Sequence, residues 1–96
     1  MRKVSSDIIE KVKTSLRIEA IAFDDEINDM ILSALLDLGI AGVTKTELED
    51  PLILRAVITY CKVHFGEPDD RAWLKQSYDE QKAQLQTASG YTDWGE

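Results

Sequence analysis

Cys61 and His64 are the two residues of this 96-residue chain whose types and spacing come nearest to working chemistry. Three positions apart on one helix, a thiol and an imidazole share a face, as nucleophile and base or as two metal ligands. They are also the only cysteine and the only histidine. Zinc asks for more ligands than this pair offers, and no second Cys or His exists to complete a set. The simpler reading is a core cysteine followed by a cation at a helix end. The acidic run Asp24, Asp25, Glu26 and Asp29 resembles a cation site, yet it lacks the alternating acids, central glycine and closing Glu of a calcium loop. Helix-end electrostatics accounts for it. Gly39 and Gly42 have neither a preceding strand nor a following Gly-Lys-Ser/Thr, so they read as turn residues and not as a phosphate cradle. No catalytic site, cofactor site or metal site is assigned, and the chain is not read as an enzyme.

Basic residues Arg2, Lys3, Lys11, Lys13 and Arg17 gather at the start of the chain. Lys11, Lys13 and Arg17 form a candidate basic face for a partner, set against the plainer reading of a solvated helix face. Residues 1–17 hold five basic and two acidic groups, residues 19–50 one basic and nine acidic, and residues 51–96 five and seven, giving the net charge of -7. An acidic chain is a poor sequence-reading DNA binder, because phosphate contacts supply most of that affinity. A negative wall does leave a nearby duplex free to slide.

The elements that position these residues are helical. Asp7 and Glu10 have capping-box spacing, and Ile8, Ile9, Val12 and Leu16 then repeat on one side of a first helix, about 6–18. Three acids from Asp24 open a second helix, about 24–39, whose apolar positions run Ile27, Met30, Ile31, Ala34, Leu35 and Leu38. Residues 40–49 read as a loop. Asp50 before Pro51 starts a third helix, about 50–65, that is apolar nearly all round. Leu54 and Ile58 on it are candidates for a subunit interface. Pro68, Asp69 and Asp70 open a fourth helix, about 68–87, with a narrow seam of Leu74, Tyr78, Gln81 and Leu85. Residues 88–96 carry turn formers without a period and read as a flexible tail, in which Tyr91 and Trp94 are candidate docking residues. The fold class is therefore all-α, a compact bundle of about four helices in a single domain, 1–87. No apolar run is long enough to cross a membrane, and one cysteine excludes an internal disulfide.

Several stretches together resemble the bacteriophage head-to-tail connector family, also described as putative DNA-packaging proteins of tailed phages and prophages. They are Val12-Lys13 with Leu16-Arg17-Ile18, Phe23 to Ile27, Asp50 to Ile53 with Arg55-Ala56-Val57, Tyr60-Cys61-Lys62 with Phe65-Gly66, and Ser77-Tyr78-Asp79 before Leu85. Each alone reads as capping plus core; their order and spacing carry the resemblance. It implies a four-helix subunit in a ring of about a dozen copies. The ring would sit under the portal protein, extend the DNA channel and present a surface to a tail-completion protein. It would be found at the head-tail junction of the virion, or in host cytoplasm during assembly. The competing reading is a small helical regulator or antitoxin using its basic first helix on a protein or on DNA, although no later helix is a basic recognition helix.

Overall fold

A computed structural model describes residues 3–66, 69–88 and 90–92. Four helices account for most of them: α1 (Ser6–Leu16), α2 (Asp24–Ile40), α3 (Pro51–His64) and α4 (Arg71–Gln86), with a 3-10 turn at Ile21–Phe23 before α2. Among the described residues the only extended pairing is an isolated antiparallel bridge between Val43 and Thr92. The four-helix, all-α class expected from the sequence is the observed one.

Local chemistry sets the boundaries. Ser5 caps α1, its hydroxyl accepting from the Ile8 N–H at 3.4 Å. The helix stops two residues earlier than expected because Arg17 turns left-handed, at φ 61°. The Arg17 N–H then donates to the Thr14 carbonyl and the Ile18 N–H to that of Lys13, a Schellman closure made without glycine. At the end of α2 the same closure uses Gly42, at φ 100°, with the Val43 N–H donating to the Leu38 carbonyl. Gly39 lies within the helix and caps nothing. Asp50 caps α3 by accepting from the Leu52 and Ile53 N–H groups at 2.9 and 3.3 Å, and Pro51 fills the first helical position. The expected start of α4 at Pro68 falls outside the described residues; Asp69 and Asp70 form a turn and the helix begins at Arg71.

Helix α3 lies at the centre and packs against the other three. Its Ile53, Ala56, Val57 and Cys61 are fully buried beside Val12 of α1 and Ile27, Ile31 and Leu38 of α2. Removing such side chains from water is the main favourable term of folding. Helix α4 packs on α3 from outside, burying Tyr78 and Leu85, and reaches α2 through the Tyr78 hydroxyl. Tyr78 meets the Tyr60 ring edge-on at 5.4 Å. Two residues of the 41–50 loop, Val43 and Leu48, are buried with the helices and belong to the same core.

Candidate functional site

Cys61 and His64 do not form a reactive pair. The thiol is completely buried in the core, and that burial pushes its pKa up to about 12. A buried thiol kept protonated is a poor nucleophile at neutral pH. His64 is exposed at the end of α3 and lies against the Tyr60 ring at 4.3 Å. Among the described residues no group of three or more His, Cys, Asp or Glu is placed to hold a metal ion.

The three residues of the basic face part company. Lys11 is exposed and borders a shallow groove between α1 and α3, beside Leu54 and Ile58. Arg17 is the left-handed residue that closes α1. Lys13 is 3% exposed, turned inward to the Asp24 carboxylate at 2.8 Å, with Glu10 at 3.7 Å. The Asp24 hydrogen bond holds the Lys13 ammonium above the ordinary lysine value, against the opposing effect of burial. The wheel position of Lys13 suggested solvent; its ion pair instead fastens α1 to the first residue of α2. The acid run is thereby partly accounted for: Asp24 serves Lys13, while Asp25, Glu26 and Asp29 remain exposed at the N-terminal half of α2.

The C-terminal segment returns to its own subunit as far as it is described. The Tyr91 carbonyl accepts from the Thr44 N–H at 2.9 Å, and the Tyr91 hydroxyl donates to the Asp50 carboxylate at 2.9 Å. Lys45 pairs with the same carboxylate at 3.1 Å and lies over the Tyr91 ring. Asp50 thus joins the start of α3, the loop and the C-terminal segment. Burial would raise its carboxyl pKa, but the Lys45 and Tyr91 hydrogen bonds and the capping N–H groups hold it below the usual value. Trp94 lies outside the described residues.

Leu54 and Ile58 are half-buried on the outer side of α3, four residues apart. They line a groove of about 410 Å³ whose other wall is α4, with Trp73 67% exposed at its edge and Arg55 and Lys62 beside it. A second polar pair of elements meets at Asp37 on α2, which accepts from the Tyr78 hydroxyl at 2.6 Å and from Lys82 at 3.1 Å. Burial works against the Asp37 charge, yet those two donors prevail and hold its carboxyl below the ordinary range. Sequence reading missed this junction, since its partners are more than forty positions apart. Among the described residues these contacts form a set of surfaces and staples. No described helix is long and apolar enough to cross a membrane. The family model for the phage connector protein matches residues 8–92, from α1 through the docked Tyr91. Neither a curated protein nor a solved structure gives a match.

Proposed function

The chain belongs to the phage connector protein family, and from that premise we propose that it is a structural subunit of the head-to-tail junction of a tailed phage or prophage. In this reading several copies assemble as a ring under the portal, continue the DNA channel and give the tail-completion protein a surface to join after packaging. The observation that carries the reading is the family match across all four helices, in a family whose role is structural. Other features support it. An apolar stripe at Leu54 and Ile58 is left on the outside of the central helix, where a subunit contact would cover it. The acidic excess suits a passage through which a duplex moves without being gripped. The C-terminal tail, residues 88–96 with Tyr91 and Trp94, would dock on the portal or a neighbouring copy, and deleting 88–96 should then weaken capture.

The regulator reading draws less support, because Lys13, central to the basic face, is buried in an ion pair. The deciding experiment mixes the chain with the portal protein of a tailed phage that carries it and images the product by electron microscopy. Capture as a ring on the portal is expected. A chain that ignores the portal and binds DNA in a salt-sensitive way would refute the connector reading in favour of the regulator.

A further inference from the structure

Helices α3 and α4 pack on one another and leave a furrow along their outer junction. Arg55, Thr59 and Lys62, at i, i+4 and i+7, share its α3 wall, and Trp73, Ser77 and Gln81, at i, i+4 and i+8, share its α4 wall. Leu54 and Ile58 form the lip of the α3 wall, since they also border the groove toward α1. A smaller cavity of about 230 Å³ continues the furrow toward Leu52 and shares Arg55, Ser77 and Gln81 with it. No acid lines the main part, and Glu80 borders only the smaller end. The two cations are unlike most others of the chain. Lys13, Lys45, Lys75 and Lys82 each pair with a carboxylate, whereas Arg55 and Lys62 make no ion pair and no side-chain hydrogen bond among the described residues. Trp73 stands exposed beside them.

We propose that this furrow docks a helical segment of a different protein, one that turns apolar side chains inward and carries carboxylates along its flank. Charge and shape select the occupant. Two cations left without an internal partner, in a chain of net charge -7, are complementary to carboxylates. An exposed tryptophan beside half-buried Leu54, Ile58 and Leu74 offers an aromatic anchor to apolar side chains. A nucleic-acid strand would bring its phosphates under the negative field of the rest of the chain, whereas a short segment with two carboxylates meets only the furrow. A trough between two packed helices accepts a third helix by the ordinary meshing of side-chain ridges and grooves. Arg55 and Lys62 lie two turns apart, about 10 Å along α3, so carboxylates seven positions apart on the occupant would face both. The five acids of α2 fall at 24, 25, 26, 29 and 37, none seven apart, and no other described helix of this chain supplies such a pair. The spacing therefore favours a different protein over a second copy. The site goes beyond the connector reading and does not depend on it: a subunit contact on the α1 side of Leu54 and Ile58 would leave the furrow open.

The test uses the full chain and three fluorescent synthetic helical peptides that share one leucine seam. They differ only at two flanking positions seven apart, which hold Glu, Gln or Lys. Fluorescence anisotropy should give the Glu peptide a Kd below about 1 mM, at least about tenfold tighter than the Lys peptide. The double variant Arg55→Glu and Lys62→Glu, at exposed and half-buried positions, should reverse that order, a result that loss of folding would not produce. Trp73→Ala, on the solvated edge, should weaken binding of the Glu peptide without altering the helical circular dichroism signal. Failure of the Glu peptide to bind in this range, equal binding of all three peptides, or an order that the double variant leaves unchanged would each overturn the site. Loss of binding on Lys11→Glu alone would place the peptide in the groove between α1 and α3 and would also overturn it. A furrow filled by a second copy would appear as peptide binding that weakens as the chain's own concentration rises, again against the proposal. Capture by the portal is measured separately, so this site and the connector reading can fail one without the other.

Discussion

Replacing Tyr78 with Phe removes one oxygen and leaves the packing of the ring untouched, so it isolates the hydrogen bond that ties α4 to α2. The bond is short, 2.6 Å, and its acceptor is the Asp37 carboxylate. Hydrogen bonds to charged groups contribute about 1.5–3 kcal/mol net. The Asp37 side chain keeps 37% of its exposure and retains Lys82, so water compensates in part and the lower end, about 1.5 kcal/mol, is expected. For a domain of this size that is a fall in Tm of about 6–12 °C. Urea unfolding followed by circular dichroism should show a lower midpoint at unchanged slope. The pH dependence gives an independent check. A carboxyl held below its ordinary value of 3.8 contributes stability that is present above that value and lost as pH falls through the lower, folded one. The gap between parent and Tyr78→Phe should therefore close in acid. The Tyr78 phenol is raised by burial and by Asp37, so its contribution is lost only as pH rises past the ordinary tyrosine range. A variant within about 0.3 kcal/mol of the parent at neutral pH, or an equal loss in an Asp37→Asn background, would refute the reasoning.

Leu38→Ala should cost about 2–5 kcal/mol, because Leu38 is completely buried, whereas Ile40→Ala two positions later should change the subunit's stability by less than about 0.5 kcal/mol; chemical denaturation of both variants checks the contrast. Gly39→Ala meets open space at ordinary helical φ and should add about 0.5–1 kcal/mol, seen as a higher Tm. Cys61 should react with a thiol reagent only as fast as the chain opens, with full reactivity in denaturant; rapid native labelling would contradict its burial. Stability carried by Lys13, whose pKa is raised by Asp24, is present below the ordinary lysine value of 10.5 and should be lost as pH rises beyond it, a loss that alkaline melting of the parent shows and the Asp24→Asn variant lacks.

The helices were legible because their signals are local. Asp50-Pro51 and the periodic apolar positions of α2 announce themselves within a few residues, and the structure follows them within one or two positions. The half-buried places of Leu54 and Ile58 follow from the same pattern, since α3 holds more apolar positions than its own core fully buries. The end of α1 was not, because the chain is turned there by an arginine in a conformation usually reserved for glycine. Val43 and Leu48 have no period to betray them; a loop is pulled into the core by what packs on it. The inward turn of Lys13 and the docking of Tyr91 on Asp50 depend on which helix ends meet in space, and pairs separated by eleven and forty-one positions leave no mark on a helical wheel. Sequence charge pointed to a basic face where the fold makes a clasp.

The Asp50 carboxylate, described above as a cap, also makes the two ends of the chain's second half answer to one another. A partner that draws Tyr91 away removes one donor from a group that still holds the first turn of α3 and Lys45. Linkage is reciprocal: whatever loosens the 43–50 loop makes the C-terminal segment easier to capture, and capture loosens the loop by the same free energy.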